Sequence, residues 1–288
     1  MQRSLFALSH PLVIFAYFVG VIVLSMCTLN PFCVALSFIC ASLMYCATAG
    51  LRKWARSLLL FSPAIILIAG ANFLFNRVGE TVLFMLGDAR FTLEALIFGC
   101  TSAVLFLSII LWFLCYQEIM TNDKFLCLFG RIAPSTSLVV SMIFRFIPQL
   151  TKQGHAILMS QKTLKGSTHS RKDGIAHTAR VTSILMGWSL EESIHTADAM
   201  RARGFGAHQR TTYTPYSFDL FDGVILGVLL CVIVASNYFI FTQGQDVMFY
   251  PYFEMTVPSL SFLLVYGALL LFPFLVEVRG VLYARTLF

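Results

Sequence analysis

The 288-residue chain draws 58% of its residues from the hydrophobic set and only 12% from Asp, Glu, Lys and Arg, about half the roughly 25% charge of an ordinary soluble domain. With a mean hydropathy of +0.81, 28 Phe and 18 Gly, it lacks the polar exterior that a water-soluble enzyme of this size requires, and much of its apolar surface must face lipid. The net charge of +6 invites a nucleic-acid partner, which the placement of the cations decides below.

Arg3 precedes an apolar run from Leu12 to Thr28. That run is longer than a signal-peptide core and has no A-x-A-like cleavage site, so it is expected to be a retained first span. Crossing a hydrocarbon core takes about 17 to 25 apolar residues, and six stretches supply them: 11–29, 31–49, 57–73, 93–116, 219–242 and 258–276. The third is the weakest, because it contains Pro63 and runs out at Asn72, and the apolar segment Val82–Leu86 after it is expected to lie in water or dip into the interface. The eight cysteines fall almost entirely inside apolar runs without a CxxC pair, the pattern of reduced, buried thiols.

An N-terminus on the inside puts Arg3, then Arg52, Lys53 and Arg56, then twelve Lys and Arg between 117 and 218, then Arg279 and Arg285 on the cytoplasmic side. Only Arg77 and Arg90 of the twenty Lys and Arg remain outside, so positive-inside supports this orientation, with both termini cytoplasmic. The same count explains 18 of 20 cations by topology, and no nucleic-acid module accompanies them, so no nucleic-acid partner is expected. The segment 125–146 is apolar, but Arg131, Pro134 and the Ser135-Thr136-Ser137 cluster argue for a cytoplasmic or interfacial helix. A crossing there would also invert the charge asymmetry.

The organisation expected is all-α: about four spans in residues 1–116, a cytoplasmic module of long amphipathic helices in 117–218, and about two spans in 219–288. Within the module, a first helical pattern breaks at Pro148 and resumes from Gln149 to Lys165, where Gly166 is placed to stop it. The polar stretch 166–178 separates it from a second, with Val181, Ile184, Leu185, Trp188 and Ile194 on one stripe, Glu191 and Glu192 off it, and an end at Arg203-Gly204. Two helices whose ends lie 38 residues apart therefore finish in a cation followed by Gly: Leu164-Lys165-Gly166 and Ala202-Arg203-Gly204. One reading is two ordinary C-caps, each with a cation favoured by the helix dipole. The other is a docking point, where a guanidinium fork meets carboxylates of another subunit.

The segment Ala197-Asp198-Ala199-Met200-Arg201-Ala202-Arg203-Gly204-Phe205-Gly206, followed by Arg210-Thr211, resembles the signature of the transmembrane T component of energy-coupling factor (ECF) type ABC transporters. So do Thr92-Leu93-Glu94-Ala95-Leu96, Thr121-Asn122-Asp123-Lys124 with Leu128 to Pro134, and Arg145-Phe146-Ile147-Pro148, in order and spacing. The resemblance covers nearly the whole chain and is strongest from about 92 to 212. It implies a non-catalytic subunit of the prokaryotic plasma membrane with two partner ABC-type ATPases and a small membrane-embedded substrate-binding S component. ATP and Mg would be bound by the ATPases, with no cofactor on this chain. The cargo, a vitamin or transition-metal ion, would be chosen by the S component. The family carries Ala-Arg-Gly-like triplets at the ends of two coupling helices. Ala202, Arg203 and Gly204 match the second, whereas Leu164, Lys165 and Gly166 keep only charge and glycine at the first, without the planar fork. Leu138, Val139, Met142 and Ile143, on the apolar face of 136–147, are the expected S-component contact, the alternative being the chain's own spans or the lipid interface.

Two features agree independently. No GxxxxGK[ST] is present, so energy from ATP must come from another chain. The spans carry no ionisable residue near their centres, Glu94, Glu118, Asp219 and Glu277 lying at span ends, whereas self-sufficient transporters display such groups at mid-membrane. A stand-alone channel or facilitator is the alternative. The module's histidines, His155, His169, His177, His195 and His208, form no HExxH or Cys/His quartet, and no metal site is expected. Glu191-Glu192 and Asp198 have no implied nucleophilic partner, and no motif of a membrane enzyme is present.

Overall fold

A computed structural model describes residues 10–76, 79, 81–86, 89–130, 133–165, 171–207, 216, 218, 220–243 and 258–286. In chain order the elements are α1 (Pro11–Cys27), α2 (Pro31–Ala49), α3 (Leu51–Phe75), β1 (Val82–Leu86), β2 (Ala89–Thr92), α4 (Leu93–Ile119), α5 (Asn122–Phe129), α6 (Pro134–Lys165), α7 (Arg171–Ala202), α8 (Leu220–Gln243) and α9 (Leu260–Thr286). The chain divides into a unit of residues 1–125 with 216–288 and a unit of residues 126–215.

The first unit is an apolar helical bundle, and each of the six apolar runs falls on one of its helices. Among the described residues α2, α3, α4 and the stretch Leu220–Ile240 of α8 are long and apolar enough to cross a membrane, while α1 and Leu260–Phe274 of α9 are shorter apolar helices. The protein is an all-α helical membrane protein. Pro11 and Pro31 open α1 and α2 at their first turns, where the missing N–H costs nothing, and His10 and Asn30 accept the Leu12 and Phe32 amides as caps.

α1 is the most deeply packed helix. Val13, Ile14, Tyr17, Phe18, Val21 and Leu24 are buried at helical spacing, packed among α2, α4 and α8. Hydroxyls replace hydrophobic contact at the centre: Ser37 Oγ accepts from Trp112 Nε1 at 3.1 Å and lies 3.1 Å from Ser25 Oγ and 2.9 Å from Ser108 Oγ. Ser25 Oγ in turn meets Tyr266 OH at 3.1 Å, so one buried network joins α1, α2, α4 and α9. Lipid cannot satisfy these groups, and each such bond holds two helices together by about 0.6 kcal/mol on average.

The third run forms a longer helix than expected. α3 starts at Leu51 and passes through Pro63 without ending. Pro63 cannot donate to the carbonyl of Leu59, and Ser62 Oγ donates to that carbonyl instead at 2.9 Å, which removes the reason for a break. α3 contributes no buried residue and packs chiefly on α4. The helices come close because Gly99 lacks a Cβ, which would stand 3.0 Å from both Ala69 O and Asn72 Cβ. Val82–Leu86 forms β1, which pairs with β2 as an antiparallel hairpin with Leu86 opposite Ala89. Gly87-Asp88 between them is a two-residue turn signal that the apolar reading passed over. Glu94, buried in the first turn of α4, accepts from the Thr81 amide at 3.1 Å and from its hydroxyl, tying the α3–α4 connection to a helix N-terminus that favours the carboxylate. At the other end of α4, buried Lys124 donates to the Ile119 carbonyl at 3.1 Å, and Lys53 Nζ reaches Glu118 Oε1 at 2.6 Å.

Candidate functional site on the helical hairpin

The second unit is built on α6 and α7, 32 residues each. Two details differ from the sequence reading. α6 runs uninterrupted through Pro148, and α7 begins at Arg171, inside the stretch read as a polar separator. Phe146 stacks on Trp188 with centroids 6.0 Å apart and planes at 4°, and Gln149 Nε2 donates to Glu192 Oε1 at 3.2 Å. These contacts flank Pro148 and hold the helix against the other strand of the hairpin. Gly154 faces Leu185, whereas Val139 and Met142, earlier on α6, share a groove with Met200 and Arg203, later on α7, so the helices are antiparallel, with five residues, 166–170, between them in the sequence.

The packed stripe of α7 also differs. Val181 is buried and Leu185 and Trp188 are half-buried, but Ile184 and Ile194 are exposed. Glu192, read as off the stripe, lies on it, one turn beyond Trp188 and bonded across to α6. The carboxylate is accepted there because the Gln149 amide supplies a donor.

The Ala202-Arg203-Gly204 triplet forms a complete helix stop. The Phe205 amide donates to Met200 O at 3.0 Å and the Gly204 amide to Arg201 O at 2.9 Å, a Schellman pair. Gly204 has φ +78 with open space where a Cβ would be. Arg203 directly follows the last residue of α7, and its side chain is exposed. Leu164 and Lys165 close α6; their side chains, and Gly166 with the remainder of that stop, lie outside the described residues, as do His169 and His208. In the antiparallel pair the ends of α6 and α7 fall at opposite ends of the hairpin. At about 1.5 Å per helical residue, a 32-residue helix separates them by about 48 Å.

At the end where α6 begins and α7 finishes, a groove of about 600 Å³ opens between the helices. Val139, Met142, Ile143 and Phe146 line it from α6, and Ala199, Met200 and Arg203 from α7. The fold thus brings Arg203 together with three of the four residues expected on the apolar contact face, while Leu138, half-buried, is not among the groove residues. Val139 and Ile143 remain 53% and 49% exposed. Arg145, Glu192 and His195 also line the groove, and sequence reading had not joined them to it. The signal was available, since positions equally far from the 166–170 connection face each other in an antiparallel hairpin. Among the described residues neither Arg145 nor Arg203 forms an ion pair, and His195 Nε2 lies 3.9 Å from Glu191 Oε1, an ion pair only with the imidazole protonated. Among the described residues no cluster of three His, Cys, Asp or Glu side chains could hold a metal ion.

Fold and site together define a polytopic helical membrane protein with a long antiparallel helical hairpin inserted between α4 and α8. No family model matches the chain, and no curated protein matches it.

Proposed function

We propose that this chain is the energy-coupling T component of an ECF-type ABC importer. It would transmit ATP-driven movement of two partner ATPases to a membrane-embedded S component that carries a vitamin or a transition-metal ion. The observation that carries the reading is the separation of the C-terminal ends of α6 and α7, Lys165 and Ala202, by the length of one hairpin, about 48 Å. Two docking points so far apart suit two ATPase subunits better than one, and a pair of packed helices transmits displacement with little loss. Arg203, held at a fixed stop by Gly204, offers a planar fork to a carboxylate, whereas Lys165 offers a point charge. Val139, Met142 and Ile143 supply the apolar contact for the S component. The resemblance of 92–212 to the T-component signature supports the same assignment. ATP and Mg belong to the partner ATPases, and the chain sits in a prokaryotic plasma membrane with both termini cytoplasmic.

Arg203→Glu tests the proposal. Membrane insertion is expected to stay normal while ATPase recovery and solute uptake fall at least tenfold, since a charge-assisted bond contributes about 1.5–3 kcal/mol. Lys165→Glu is expected to cost less. Unchanged recovery and uptake with Arg203→Glu would remove the basis of the reading.

A further inference from the structure

We infer that a second copy of this chain docks on the outward face of α7, the two α7 helices lying antiparallel about a dyad near Met186. The inference rests on α7 alone and uses none of the side chains assigned to the ATPases or the S component. α7 meets α6 through Leu185, Trp188 and Glu192. At about 100° per residue a second stripe stands about 150° round the helix from that contact, and Ile175, Met186, Leu190 and Ile194 on it are 63–73% exposed. From 174 to 197 the charged residues Arg180, Glu191 and Glu192 all fall outside this stripe. The hydroxyls on and beside it are satisfied within the helix: Thr178, Thr182, Ser189 and Ser193 donate to the carbonyls of Gly174, Thr178, Met186 and Ser189 at 2.7–3.0 Å. Covering the stripe therefore strands no donor, and an exposed apolar surface of this kind marks an interaction site.

The stripe complements itself, and this selects the occupant. Turned end for end about Met186, it sets Ile175 beside Ala197 and Leu190 beside Thr182, a large side chain against a smaller one each time. Met186 meets its own copy, and the flexible thioether adapts to such a contact. Charge fits the same register. Arg180 and Glu191 stand on one shoulder of the stripe, eleven residues and about three turns apart, too far to meet within the helix. In an antiparallel pair like shoulders face each other, so Arg180 of each copy comes opposite Glu191 of the other. Both are exposed, and Arg180 forms no ion pair among the described residues. Such reciprocal matching is the property of an isologous interface, where one residue meets a second and the second meets the first. One helix face about 33 Å long gives a small interface, so a reversible dimer is expected.

The test uses the full chain, purified without partners, labelled once on a terminal tag and placed in phosphatidylcholine vesicles over a range of protein-to-lipid ratios, with copies per spot counted by photobleaching. A monomer–dimer equilibrium is expected. Leu190→Arg, at an exposed position where the monomer tolerates charge, is expected to weaken the dimer at least tenfold. Arg180→Glu and Glu191→Arg are each expected to weaken it about tenfold, since two symmetric pairs turn to like charges. Both changes in one chain are expected to restore it, because the pairs re-form with their signs exchanged, and only contact between copies can do so. Ile184→Arg, at an exposed position away from the stripe, is expected to change nothing. A chain that stays monomeric at every ratio would overturn the inference and leave the stripe to lipid or to another protein. So would a dimer unaffected by Leu190→Arg, which would place the contact in the apolar spans, or a double variant no tighter than the single ones. Because the chain is tested alone, none of these results bears on ATPase docking.

Discussion

Gly204 fixes where the guanidinium of Arg203 stands. Its φ of +78 lies in the left-handed region, with nothing within 4 Å of the place a Cβ would take, so the glycine is needed for backbone conformation and not for space. A left-handed residue other than Gly costs about 1–2 kcal/mol. Gly204→Ala is therefore expected to leave the fold intact and loosen only the stop, raising amide exchange at Gly204 and Phe205 by about five- to thirtyfold. Exchange unchanged at those two amides would show that the Schellman pair does not depend on glycine. The stop was legible in the sequence because cation and glycine stand together at the end of a helical pattern. The side chains beside Arg203 were not, since Arg145 and Val139 lie some sixty residues earlier and meet it only through the antiparallel pairing of α6 and α7.

At the scale of elements, the close contact of α3 with α4 depends on Gly99. A side chain there meets backbone at Ala69, which cannot turn aside. Gly99→Leu is expected to destabilise the bundle by about 1–3 kcal/mol, whereas Gly70→Leu, with open space around the site, is expected to change little. Unfolding of both variants in mixed micelles checks this, and equal stability would refute the close approach. The six apolar helices were legible because lipid-facing and buried positions are both apolar, so composition and length suffice without a periodic pattern. Interruptions were harder to read. Pro63 and Pro148 both stay inside helices. At Pro63 a neighbouring hydroxyl takes the freed carbonyl, and at Pro148 contacts on either side hold the strand of the hairpin. Propensity is blind to such partners. The β1–β2 hairpin was hidden for a similar reason, because a five-residue apolar run has no period that separates strand from buried helix.

For the whole molecule, the orientation proposed from the excess of Lys and Arg expects residues 166–170 on the cytoplasmic side and residues 82–92 on the other. A protease site inserted between Gly87 and Asp88 is expected to be cut in intact cells by protease added outside, and one inserted between Ser167 and Thr168 only after the membrane is opened. The reverse pattern would invert the orientation and remove the hairpin from the ATP side. The central claim is that this chain transmits energy supplied by others. The most direct measurement is an affinity pull-down of the tagged chain from its native membrane, with co-purifying proteins identified and ATPase activity assayed. The account predicts two nucleotide-binding subunits, ATPase activity and one small apolar membrane protein. Recovery of this chain alone, moving solute in liposomes without ATP, would contradict it.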